Sequence, residues 1–470
     1  MFKLKENKTN VRTEIVAGLT TFMTMSYIVA LNPNILTGFS NPDMGGRGLW
    51  NAVFLATCLA SAIGTMCMAF YANKPFVMAP GMGLNSFFAL VVTNMVAITG
   101  ATYLECYQGA MTIILIEGIL FIILSVLKVR EKIVDAIPLG IRLAIGPAIG
   151  LMLMDIGFGS NAIVDGKCYV LRDFFGSLTP KIVNEVLGDS YPKMVLTVVT
   201  MLVGLFAIIM LDMRKKKGAV MLGILISTGV YWAGEAIFLH TNPFESLKTA
   251  SFVPPFAELG ELTLLKINPG TLLQMGWFTA ITMIITFCMI DMFDTIGTLV
   301  GTATKAGMTD ENGNMPGIGK ALTSDAVGTI AGAVTGTPTV TTFVESATGV
   351  EAGGRTGLTA LTSAIMFLLC IFIAPVVALI PAPATSAALI YVGILMVSQL
   401  KNLDFADRYQ IIPAAIMLIA MPITGSIGHG IGLGMITYTV MKLLMGKGKE
   451  VTVLTYIISV LFLVKFFAVV

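Results

Sequence analysis

The sequence predicts an all-α polytopic membrane protein, with fourteen transmembrane segments arranged as a seven-plus-seven inverted repeat. Three observations carry that expectation: an apolar composition, basic residues that sort to one side of the apolar segments, and an internal echo between the two halves. Hydrophobic residues make up 56% of the 470-residue chain and charged residues only 12%, with mean hydropathy +0.87. An ordinary soluble enzyme, with about a quarter of its residues charged, is excluded. Many separate apolar runs reach the roughly 20 residues needed to cross a hydrocarbon core. Backbone at that depth must satisfy its own hydrogen bonds, and the alternation of a β-barrel is missing, so the segments are read as helices. The six cysteines (Cys58, Cys67, Cys106, Cys168, Cys288 and Cys370) have neither metal-like nor disulfide-like spacing and read as packing residues.

In order, the first segment is expected over Ile15–Ala30, behind a polar, basic start without a cleavable signal pattern. The second covers Trp50–Phe70. The third is irregular, because Pro80, Gly81 and Gly83 precede its helical part. Tyr107–Val126 and Ile141–Gly157 follow, separated by the amphipathic piece EKIVDAIPLG. A wet loop over Ser160–Pro192 leads to Met194–Leu211 and Ala219–Ala236. The eighth segment, from Trp277, carries Asp291 and Asp294. The ninth carries Asp325, and the tenth, GTPTVTTFVES, is broken by Gly, Thr and Pro ahead of Glu345. Leu358–Leu379, Ser386–Leu400, Ile411–Thr424 and Gly430–Met445 complete the fourteen. A further apolar tail, Val451–Val470, is compatible with spanning, lying at the interface or packing on the bundle.

The basic residues test that order. Lys3, Lys5, Lys8 and Arg12, then Lys74, then Lys128, Arg130 and Lys132 fall on one side. So do Arg214–Lys217, Lys305, Lys401, Arg408, Lys442, Lys447 and Lys449. By the positive-inside rule this side is cytoplasmic and holds the N-terminus. The opposite loops carry Glu245, Glu258 and Glu261.

The chain also echoes itself. GLTTFMTMSYIVA in the first segment resembles MIITFCMIDMFDT in the eighth, and the interrupted APGMGLN of the third has its counterpart in GTPTVTT of the tenth. GAVMLGILIST and HGIGLGMITYT match after the sixth and thirteenth segments. Seven segments per half is an odd number, so the halves insert in opposite orientations. Interrupted segments are the usual home of a transporter's binding site, and acids at membrane depth mark ion or substrate pathways. The expected geometry brings two extended stretches to mid-bilayer, where each turns helical and points free backbone N–H groups into a shared cavity.

APGMGLNSFFA, FDTIGTLVGTA, SDAVGTIAG and GTPTVTTFVESATGVEAGGRTGLTA resemble the purine-permease (AzgA-like) branch of the nucleobase–cation symporter family. The likeness runs from EIVAGLTTFMTMSYIVALNP to about Lys442. It implies a core domain over 15–127 and 271–380 and a gate domain over 128–240 and 381–446. Residues 1–14 would be a cytoplasmic N-terminus and 447–470 an apolar tail. It also implies import of a purine nucleobase with a proton through the cell membrane, guanine and hypoxanthine ahead of adenine. No cofactor, metal or nucleic acid is implied, and a homodimer through the gate domains is allowed. Asp294 in FDTIG is similar to the family's substrate-binding acid of the eighth segment, and Glu345 in TTFVES to the second acid. Asp325 is similar to an acid that braces the site. The substrate-binding set expected on this basis is Asp294, Glu345, Phe343, Val344, Ser346, Asn85, Phe87, Gly83 and Thr298, with Asp294, Glu345 and Asp325 coupling the proton. The related uracil and xanthine carriers have Glu followed by His where this chain has Asp294 and Thr295, which favours the purine branch.

Blander readings stand beside these. Glu117 reads as a helix–helix bond, and Asp291 as a brace three residues before Asp294. Phe87, Phe88 and Phe343 are read as a stacking face or as packing, and Asn85, Ser26 and Tyr27 as cavity lining or as partners of neighbouring backbone. His240 and His429 fall near segment ends and are not read as proton carriers. A small-anion carrier of the same seven-plus-seven fold is the rival, because opposed helix N-termini suit an anion. Two acids at the same place count against it.

Overall fold

The computed structural model of the chain describes residues 2–38, 41–127, 138–158, 191–216, 218–242, 244, 252–305, 308, 315–424 and 427–468. The first part of the amphipathic piece, nearly all of the wet loop, Cys168, Lys128, Arg130, Lys132, Lys217 and Glu245 lie outside the described residues.

Helices form where hydropathy places them. The first segment extends beyond Ile15–Ala30 as two helices, α1 (Val11–Met25) and α2 (Ile28–Leu36). The Asn10 side chain starts α1 by accepting the Thr13 N–H, one of the donors a helix start leaves unpaired. The irregular turn at Ser26–Tyr27 precedes Pro33, which removes a backbone donor inside α2. Next come α3 (Gly46–Cys67), β1 (Met78–Pro80) and α4 (Met82–Thr99). Thr102 and Glu105 form a reciprocal capping box that opens α5 (Tyr103–Val126). The chain continues through α6 (Leu139–Gly157), α7 (Tyr191–Met213) and α8 (Ala219–Phe238).

The second half repeats the order with α9 (Trp277–Lys305), α10 (Ile318–Thr335) and β2 (Val340–Thr342). After β2 the helix α11 (Ser346–Glu351) has only six residues. Then follow α12 (Gly357–Cys370), α13 (Ala382–Val397), α14 (Arg408–Thr424) and α15 (Ile427–Leu444). The tail forms α16 (Val453–Ala468), which runs back along α15. Ser459 meets Thr439 at 2.8 Å and donates to the Met435 carbonyl, and the His429 and Phe466 rings pack at 5.5 Å.

Among the described residues, eight helices are long and apolar enough to cross a membrane, with shorter apolar helices at Trp277–Met292, Arg408–Thr424 and Val453–Val464. Large apolar side chains stand outward, such as Phe206, Ile237 and Ile423. That outward face is what a lipid solvent requires, and the fold is a helical, membrane-type one.

The helices sort into two packed groups. In one, α1 lies on α12, and α10 packs on both α3 and α5. In the other, α6 packs on α13 and α14, α7 on α8 and α13, and α14 on α15. Sparser contacts join the groups, including α4 to α6, α9 to α6 and α2 to α13. Gly83 shows how closely they approach: a methyl group added there would lie 2.5 Å from Ile149 Cγ2 of α6.

The two strands form an antiparallel pair, with Met78 opposite Thr342, Ala79 opposite Thr341 and Pro80 opposite Val340. The Gly81 N–H donates to the Thr339 carbonyl and the Phe343 N–H to the Val77 carbonyl, both at 3.0 Å. All six strand residues are buried. Extended chain at membrane depth needs such cover and pairing, since each unpaired polar group there costs several kcal/mol.

Candidate functional site

Where β1 and β2 end, they hand over to α4 and α11, and the acids gather around that junction. Glu345 stands between β2 and α11, half-buried, and accepts a hydrogen bond from the Tyr27 hydroxyl at 2.7 Å. Asp294 comes from the middle of α9, also half-buried. Its Oδ2 lies 3.7 Å from where a side chain on Gly81 would begin, so it sits against the β1–α4 turn. It is within electrostatic reach of both Asp325 and Glu345. Three carboxylates, from α9, α10 and the β2–α11 junction, therefore lie within electrostatic range at this junction.

Asp325 lies deeper and is fully buried on α10. It accepts from Thr295 Oγ1 at 2.8 Å and from Thr341 Oγ1 at 3.0 Å. Thr295 and Thr341 also touch each other at 2.8 Å, and Thr295 reaches Asp291 Oδ1 at 3.2 Å. This cluster joins α9, α10 and β2, and through it Asp325 holds the strand. Asp291 is fully buried beside it, on the side of α9 that meets Thr295.

Residues 337, 339 and 341 alternate along the extended chain, so their side chains share a face. Thr337 accepts from Asn32 of α2 at 2.9 Å, Thr339 donates to Glu117 of α5 at 3.3 Å, and Thr341 binds Asp325 of α10. Three threonines thus tie one short strand to three helices. A slip of one residue would turn all three hydroxyls to the other face, so the ladder fixes the register. Strand β1 is held more simply: Thr65 Oγ1 accepts the Met78 N–H at 2.9 Å and donates to the Met78 carbonyl at 3.1 Å.

The remaining expected site residues divide. Val344 is half-buried next to Glu345, and Phe343 is buried at the end of β2. Phe87 packs against Phe287 with ring centroids 4.9 Å apart. Phe88 is fully buried, edge-on to Tyr107, which makes it packing. Ser346 Oγ accepts the Val77 N–H, pinning α11 to the start of β1. Asn85 is fully buried and donates to Asn32 Oδ1 at 2.6 Å, which directs its amide nitrogen into the scaffold. The Thr298 hydroxyl folds back onto the Asp294 and Thr295 carbonyls of its own helix. Gly83 serves the approach of α4 to α6 described above.

Sequence reasoning missed the bridging role of Thr295 and Thr341, although threonines at every second position in TPTVT were a signal. It also missed Glu14. Its buried carboxylate accepts from the backbone N–H groups of Arg355, Thr356 and Thr359 and from the hydroxyls of Thr356 and Thr359. One side chain of α1 thereby caps the start of α12.

A two-group helical body with paired strands at its centre is an architecture of membrane transporters. The transmembrane domain of a cyanobacterium bicarbonate transporter BicA has the same fold, with TM-score 0.60 over 90% of this chain and 97% of that one, at 16% identity. A family model described as the permease family matches residues 12–432. Guanine/hypoxanthine permease PbuO of Bacillus subtilis is 37% identical over 99% of this chain and 100% of its own length. Adenine permease AdeQ of Escherichia coli is 35% identical over 99% of this chain and 95% of its own. The chain belongs to this permease family; it is a multi-pass membrane transport protein and not an enzyme.

Proposed function

We propose that the protein imports purine nucleobases across the cell membrane together with a proton, by alternating access. The observation that supports this reading is the placement of half-buried Asp294 against the Gly81 turn that opens α4, with half-buried Glu345 of the β2–α11 junction within its electrostatic range. A purine presents ring N–H donors to carboxylates and ring acceptors to the backbone N–H groups of the first turn of α4, which helix geometry leaves without partners. The names of the relatives support the same substrate class. An anion carrier would have to seat its substrate against two acids, which opposes that alternative.

In this proposal the chain crosses the membrane fourteen times as an inverted seven-plus-seven repeat, with its N-terminus in the cytoplasm. The group containing α1–α5 and α9–α12 is the core, and the other group is the gate. Asp294 and Glu345 hold the base, and one of them carries the proton. Its protonation and base binding favour each other, so that the loaded core shifts against the gate and releases both inside. Asp325 contributes by keeping β2 in place. A homodimer would form through the gate.

The test is uptake of labelled guanine, hypoxanthine, adenine, xanthine and uracil into cells lacking their own carriers. Accumulation of one or more purines, collapsed by an uncoupler, is expected. Accumulation that survives the uncoupler would remove proton coupling, and no purine uptake at all would remove the substrate class.

A further inference from the structure

We infer that Tyr27 is a positioning residue for Glu345: its phenol fixes the carboxylate that the substrate meets. The inference rests on the functional reading above and adds a residue to it. Tyr27 is 1% exposed, whereas Glu345 is half-buried, so the phenol holds the carboxylate from the buried side and part of Glu345 stays accessible.

The structure holds the two partners in place over a long seam. At one end Glu14 of α1 caps α12 through its five hydrogen bonds. In the middle, α1 and α11 touch so closely that a methyl group added at Gly349 would lie 2.0 Å from Thr21 Oγ1. Thr24 Oγ1 meets Thr348 Oγ1 at 3.1 Å. At the inner end comes the Tyr27–Glu345 bond. A seam packed this closely lets α1 and α11 shift only together, so Tyr27 stays with Glu345.

The physical role follows from the chemistry of the pair. A carboxylate at the end of a three-atom side chain rotates freely unless something holds it, and that rotational freedom is lost again whenever substrate binds. A hydrogen bond from a buried phenol removes the freedom beforehand, which lowers the cost of binding. Tyr27 touches Glu345 and acts through it, which is why it belongs to positioning.

The experiment is Tyr27→Phe, which keeps the ring and removes only the hydroxyl. KM for the transported purine should rise about tenfold with Vmax within about twofold, at an unchanged amount of folded carrier. A residue needed only for packing would leave KM alone. In a Glu345→Asp background, whose shorter side chain withdraws from the phenol, the same substitution should change KM by less than about twofold. An undiminished tenfold effect there would overturn the inference. So would an unchanged KM in Tyr27→Phe itself while Glu345→Gln abolishes uptake, a result that leaves the functional reading intact. Normal transport by Glu345→Gln would instead sink that reading and the inference with it. Should Tyr27→Phe fail to reach the membrane, Thr24→Val loosens the same seam, and a KM unmoved by it counts against the inference.

Discussion

The two broken segments at the centre of the molecule share a plan and differ in content. Residues 77–99 form a strand held by one threonine, Thr65, and continue into an apolar helix of 18 residues. Residues 337–351 form an extended stretch ending in a strand, tied by Thr337, Thr339 and Thr341, and continue past Glu345 into a helix of six. Beside the first strand the buried network is built from neutral Asn32, Asn85 and Thr57, and through Asn32 it reaches Thr337 ahead of the second. Around the second it contains Asp291, Asp325 and Glu345. In the proposed site the first half would contribute the backbone at the start of α4, and the second the acids Asp294 and Glu345. The two segments thus share a strand-to-helix plan while their side chains differ.

The largest effect that could break this comparison lies with the acids. Asp294→Asn and Glu345→Gln should each reduce concentrative purine uptake by more than about 30-fold, the scale for losing a buried charged partner of a ligand. Retained accumulation in a carrier lacking both would assign the chemistry elsewhere. The next test sharpens it. Thr341→Val withdraws a donor from Asp325 and Thr65→Val leaves two strand groups of Met78 without their partner, so each should destabilise the protein by about 1–3 kcal/mol. Only Thr341→Val should also raise KM, and Thr341→Ser should restore it; melting in detergent beside uptake kinetics reads both. The smallest expected change is Ser459→Ala in α16, which removes its two bonds to α15 and should cost about 1 kcal/mol while leaving transport unchanged. A loss of uptake there would extend the functional apparatus into the tail.

Much of this was legible in the sequence because it follows from composition. Helix positions came from hydropathy, and the breaks at Pro80 and Pro338 from residues that disrupt a helix. Asp294, Asp325 and Glu345 stood out because charge is rare in such segments. What stayed hidden depends on neighbours distant in the chain. Nothing local indicates that Thr339 faces Glu117 across 222 positions or that Tyr27 reaches Glu345 across 318. Asn85 stood out beside a broken segment, but that its amide nitrogen donates to Asn32, 53 positions away, did not. Thr298 was more readable, because threonine in a helix often bonds the carbonyl four residues back. The brevity of α11 was also within reach, since the glycines at 353 and 354 follow it closely; Gly353 takes a φ of 104°, outside any helix.

The pairing of β1 with β2 also limits how the molecule can move. One strand comes from each half, and the backbone bonds at Gly81 and Phe343 rivet them together at the centre. A clamshell opening along the line between the halves would tear those rivets with no water at hand to replace them. In the proposed transport cycle both strands would therefore travel as one piece, with displacement along the sparser boundary between the two helix groups, where Gly83 meets Ile149.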